Sequence, residues 1–83
     1  MDPRYWTKSV ELELEGASRV HTVRSTHQAA AVLAHWPPGQ QGEAYEEAKR
    51  LCRAVLKNGA PRQIARDAFI RAAEEAGIYI RKK

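Results

Sequence analysis

The segment Trp36-Pro37-Pro38-Gly39-Gln40-Gln41-Gly42 constrains what this chain can fold into more than any other stretch. Pro37 disfavours the helical conformation at Trp36, and Pro38-Gly39 makes continuation less favourable still, so a helix arriving at Trp36 must stop there. A second helix opens after Gly42. Its apolar residues Ala44, Tyr45, Ala48, Leu51, Cys52, Val55 and Leu56 recur at three-and-four spacing, with Glu46, Glu47, Lys49, Arg50, Arg53 and Lys57 between them. One face is core and the other is water. The aromatic and small residues around this corner are placed to pack, and none is placed to react.

The flanking segments complete an α+β pattern. Val10, Leu12 and Leu14 alternate with Glu11, Glu13 and Glu15, the period of a strand with one dry face. Gly16-Ala17-Ser18 reads as a turn, and Val20, Thr22 and Val23 supply the β-branched content of a returning strand. A three-residue loop would set Arg19 opposite Glu15, Val20 opposite Leu14 and His21 opposite Glu13, matching charge with charge. Val23 breaks that parity, which calls for a bulge near Thr22 or for packing on the other face. Ser25, with Gln28 three residues on, has the form of a capping box for a helix through Ala29–Ala34. Asn58-Gly59 signals the end of the second helix, and Pro61 suits the first position of a third. Ile64, Ala65, Ala68, Phe69, Ala72, Ala73 and Ala76 form the buried stripe of that helix, which ends at Gly77. Ile78-Tyr79-Ile80 is β-prone and predicts a short third strand returning to the hairpin, giving the order ββαααβ in one small α+β domain over residues 1–83.

Composition limits the functional classes. Hydrophobic residues at 43% and charged residues at 29% lie near globular averages and argue against disorder or fibrous repeats. No run approaches the roughly 18 apolar residues of a spanning helix, and Met1-Asp2-Pro3-Arg4 lacks the regions of a signal peptide, so a cytoplasmic location and no membrane partner are expected. The single cysteine, Cys52, excludes an internal disulfide framework and multi-cysteine zinc sites. The net charge of +4 permits attraction to anions, but Arg81-Lys82-Lys83 supplies much of the surplus.

Taken together, Trp6 and Val10, Ala29-Ala30 with Leu33, Trp36-Pro37, Gly42, Tyr45, Ala48, Cys52, Ala65-Arg66-Asp67-Ala68-Phe69 and Ala76-Gly77 resemble the domain of unknown function 982 family. The resemblance covers most of the chain and leaves out the first five residues, Gln40-Gln41 and the basic tail. It implies small bacterial proteins, mostly alphaproteobacterial, with an α+β fold. It implies no catalytic residue, because the family has no established activity.

Candidate sites are few. A nucleophilic cysteine needs a nearby base or cation, yet Cys52 falls on the apolar stripe with Tyr45, Ala48 and Val55 and is expected to be a buried, unreactive thiol. His21, His27 and His35 lack the helical spacing of a common metal site, so no metal or cofactor is expected. Glu11, Glu13 and Glu15 share a strand face that reads as its solvated side, with Arg19 and His21 as cross-strand partners. Lys49, Arg53 and Lys57, with Arg50 beside them, recur as a basic stripe on the second helix and are the candidate nucleic-acid contacts. Glu46 at i,i+4 from Arg50, with Glu47 close by, favours instead a solvated, ion-paired face. Five residues after Ile78 are too few for the recognition helix of a helix-turn-helix, and the hairpin lacks the aromatics of an RNA-recognition sheet. The favoured reading is a non-catalytic interaction scaffold that self-associates or holds a protein partner, with Trp6, Tyr79 and Ile80 as apolar residues for a dimer to cover. Nucleic-acid binding through the stripe is the alternative.

Overall fold

The computed structural model describes residues 5–13 and 20–82; the Gly16-Ala17-Ser18 turn and the pairing of Glu15 with Arg19 lie outside them. The chain forms an antiparallel hairpin followed by three helices. Strand β1 spans Tyr5–Glu13 and β2 spans Val20–Ser25. Helix α1 spans Thr26–Ala34, a single 3-10 turn spans Pro38–Gln40, α2 spans Glu43–Asn58 and α3 spans Arg62–Glu75.

The hairpin register differs by one residue from the three-residue-loop expectation. Glu13 lies opposite Val20, Leu12 opposite His21, Glu11 opposite Thr22 and Val10 opposite Val23. A one-residue slip sends every side chain to the other face. The observed register puts Val10 and Val23 together in the core, both fully buried, and leaves Thr22 on the wet side. The parity conflict at Val23 therefore needs no bulge at Thr22. The irregularity is instead in β1 between Tyr5 and Val10, since Tyr5 pairs with Ser25. The Lys8 carbonyl within that stretch accepts a hydrogen bond from Arg66 Nε at 3.1 Å, which ties the irregular segment to α3.

Local chemistry explains the helix ends. The Ser25 hydroxyl accepts from the Gln28 N–H at 3.2 Å, and Gln28 Oε1 accepts from the Arg24 N–H at 2.7 Å, so the box closes one residue earlier than its usual form. Helix α2 ends at Gly59 with φ +70°, a conformation that a Cβ would strain. Pro61 stands as the N-cap of α3 rather than inside its first turn. The N-terminus of α2 lacks a side-chain cap from its own flank. Glu75, at the far end of α3, supplies one by accepting from the Ala44 N–H at 3.1 Å.

A row of rings organises the core. Phe69 of α3 has Trp6 at 5.9 Å and Trp36 at 6.0 Å, and Trp36 stacks on Tyr45 at 6.2 Å. Every polar end of this row is satisfied: Trp6 Nε1 donates to Thr26 Oγ1 at 3.0 Å, Trp36 Nε1 to the Gln40 carbonyl at 3.1 Å, and the Tyr45 hydroxyl to the Leu33 carbonyl at 3.0 Å. Trp6 thus belongs to the core and is not surface for a dimer to cover. Ile80 is half-buried against the same core, and the Tyr79 side chain lies outside the described residues. No described helix is long and apolar enough to cross a membrane.

Candidate binding face

Helix α2 buries Tyr45, Ala48 and Cys52 and turns Lys49, Arg50, Arg53 and Lys57 to solvent, the arrangement its three-and-four spacing requires. The four cations are not equivalent. Arg50 Nη2 lies 3.4 Å from Glu47 Oε1, and Lys49 Nζ lies 3.9 Å from Glu46 Oε1. The expected Glu46–Arg50 pair is therefore replaced by two pairs at i,i+3. Lys49 also sits over the Tyr45 ring, 5.0 Å from its centroid, which holds its ammonium on the Glu46 side. Among the described residues neither Arg53 nor Lys57 has an ion-pair partner.

These cations line two adjoining hollows, with Lys49 and Arg53 in both. Lys49, Arg50 and Arg53 share a cavity of about 480 Å³ with Glu43, Glu46 and Glu47, where the charges offset one another. The second, a groove of about 440 Å³ between α1 and α2, has Ala30, Leu33, Ala34 and Leu56 in its lining and Lys49, Arg53 and Lys57 on its α2 side. Among the described residues no carboxylate lines it. Helix α1 forms the other wall and is uncharged; indeed residues 25–42, 18 in all, contain no Asp, Glu, Lys or Arg. Ala31 and Ala34 of this helix face solvent. That charge-free run is the signal that spacing alone did not expose.

Leu56 also lines a larger hollow of about 860 Å³, together with Tyr5, Val55, the start of α1 and the turn between α2 and α3. Tyr5 at 48% and Leu56 at 49% exposure are the large hydrophobic residues that remain open to solvent among the described ones. Both therefore open into one place.

Of the residues with catalytic potential, Cys52 lines the groove and His27 the larger hollow. Cys52 is 2% exposed, and burial pushes its thiol up to about 11, so it is protonated and shielded at neutral pH. His21, His27 and His35 are all exposed and lie on β2, on α1 and just past α1. His21 lies opposite Leu12, not Glu13. Among the described residues no three His, Cys, Asp or Glu side chains come together as a metal site.

A family model for proteins of unknown function matches residues 8–80. The chain belongs to the DUF982 family. Neither curated proteins nor solved structures return a match. The DUF982 span takes in all three helices, the Trp36 corner and the whole α1–α2 groove, while Tyr5 and Trp6 precede it. Membership in DUF982 assigns no activity to any of these residues.

Proposed function

We propose that this DUF982 chain is a small non-catalytic interaction domain whose contact face is built on α1 and α2. The observation that carries the reading is the convergence of Tyr5 and Leu56, half-exposed among the described residues, on one hollow beside a helix with no charge. Apolar surface of this kind gains free energy when a partner covers it. The buried, protonated Cys52 argues against thiol chemistry in this reading. A cytoplasmic setting suits the unpaired thiol.

In this reading the chain also associates with its own copy, along the outer edge of β2, where no strand lies beside it among the described residues. On the opposite edge of β1 the chain closes its own sheet. A third strand, β3, over Tyr79–Lys82 would run antiparallel to β1 with Ile80 opposite Leu12 and Glu13 opposite Tyr79. Its support is the burial of Ile78, whose N–H reaches back to the Ala73 carbonyl at 2.9 Å and aims the backbone toward β1. Sedimentation at high micromolar concentration tests self-association, and a strictly monomeric chain removes it.

Nucleic-acid binding is the second reading, favoured by Arg53 and Lys57 having no ion-pair partner among the described residues. Affinity for a short duplex that survives near-physiological salt and collapses when Lys49, Arg53 and Lys57 are all changed to Glu would establish it in place of the first. Weak association confined to low salt is the expected result.

A further inference from the structure

We infer that the α1–α2 groove receives an acidic amphipathic helix from a partner protein, an inference that rests on the reading of the chain as an interaction domain. The groove is two-sided. Ala30, Leu33, Ala34 and Leu56 offer aliphatic surface, and every charged group in the lining is a cation on α2. The α1 wall adds none, because the chain is uncharged from Ser25 to Gly42.

The cations are evenly spaced. Lys49, Arg53 and Lys57 follow one another at four-residue intervals, so at about 1.5 Å per residue they mark a line of roughly 12 Å along α2. A helix laid in the groove presents carboxylates at the same four-residue rungs, with an apolar stripe one step round its surface. It therefore meets the aliphatic floor together with Arg53 and Lys57, the rim cations that have no ion-pair partner among the described residues. Such helix-in-groove docking takes its affinity from the buried stripe, while the rim charges set partner choice and orientation.

Charge also decides against two other occupants. A second copy docked groove to groove would bring Lys49, Arg53 and Lys57 against their own equivalents, and like charges in contact oppose association. A nucleic acid would find cations along one wall only, with aliphatic side chains filling the space where further phosphate contacts are needed. Arg50, the fourth cation of the stripe, does not line the groove and lies against Glu47.

The test uses the full chain and a capped, fluorescent peptide of about 18 residues, long enough to be helical, with a leucine stripe flanked by Glu at four-residue spacing. Its controls are a scrambled peptide of identical composition, a version with Lys for Glu, and a short DNA duplex. In near-physiological salt we expect saturable binding of the Glu peptide and none of the Lys version. The scrambled peptide and the double variant Arg53→Glu with Lys57→Glu should each weaken binding about ten-fold or more, or about 1.4 kcal/mol. Ala34→Glu, which puts a carboxylate on the floor at an exposed position, should do the same with an unchanged urea midpoint. Equal binding of the scrambled peptide would reduce the effect to net charge and overturn the inference. Absence of saturable binding, or tighter binding of the duplex, overturns it too. Sedimentation of the chain alone reads self-association independently, so a dimer that ignores the peptide refutes the groove and leaves the interaction-domain reading standing.

Discussion

Replacing Trp36 by Ala tests whether the corner between α1 and α2 holds the fold together. The indole is 2% exposed, stacks on Tyr45 and meets Phe69 edge-on, so its removal forfeits transfer energy and leaves a cavity between three elements. Such truncations cost about 3 to 5 kcal/mol. The lost hydrogen bond from Trp36 Nε1 to the Gln40 carbonyl, worth about 1 kcal/mol, places the expected cost in the upper part of that range. A chain of 83 residues has a total stability of about 4 to 12 kcal/mol, so this one change removes a large share of it. Urea unfolding followed by far-ultraviolet circular dichroism is the assay, because it does not depend on the deleted fluorophore. At a slope of about 1 kcal/mol per molar urea the midpoint should fall by about 4 M, or the native baseline should vanish. Trp36→Phe keeps most of the apolar bulk and should cost only about 1 to 2 kcal/mol. An unchanged midpoint for Trp36→Ala would refute the reasoning and move Trp36 from core to surface.

The cap that Glu75 provides for α2 predicts a coupled pair. A Cβ on Gly42 would lie 2.5 Å from Glu75 Oε1, so Gly42→Ala should push that carboxylate away from the Ala44 N–H and cost about 1 kcal/mol. Glu75→Ala should cost about the same and the double variant little more, whereas full additivity in urea midpoints would show that the two sites act separately. Cys52, raised to about 11 by burial, should make the native state lose stability as pH climbs from about 9 toward 11. The unfolded thiol ionises first over that window, which favours unfolding. Cys52→Ala should flatten this part of the stability–pH curve, and an identical slope in both proteins would remove the thiol as its cause. Tyr45→Phe deletes the hydroxyl that donates to the Leu33 carbonyl and should cost about 1 kcal/mol by thermal or urea unfolding; the Trp36 N–H still serves that carbonyl at 3.2 Å.

Much of this architecture was legible because its signals are local. Ser25 capped α1, Trp36-Pro37 stopped it and Gly59 ended α2, each within a turn of the residues that announced it. The hairpin register departs from the three-residue-loop expectation because Val23, whose burial pairs it with Val10, constrains it more strongly than Gly16-Ala17-Ser18 does. The sequence leaves Trp6 without a clear inward face, as a residue for a dimer to cover, because nothing nearby in the chain marks Thr26 and Phe69 as its neighbours. Glu75 reaches Ala44 across 31 residues, beyond any spacing rule. Of the candidate face, the cationic stripe was readable from its period. The apolar groove that its Lys49, Arg53 and Lys57 border was not, since that depends on where α1 lies against α2.

The row of rings bears on the proposed recognition as well as on stability. Phe69 touches both tryptophans, so the strand that carries Trp6 and the corner that carries Trp36 share one neighbour on α3. Neither can loosen without disturbing packing on the other side. Tyr45 extends the row into α2 and, through the Leu33 carbonyl, fixes the end of α1. The two helices that frame the groove are thereby held in one mutual arrangement before any partner arrives. In the proposed docking, a surface set in advance loses little conformational entropy on contact, so more of the free energy of covering Leu56 and the alanines of α1 would remain as affinity.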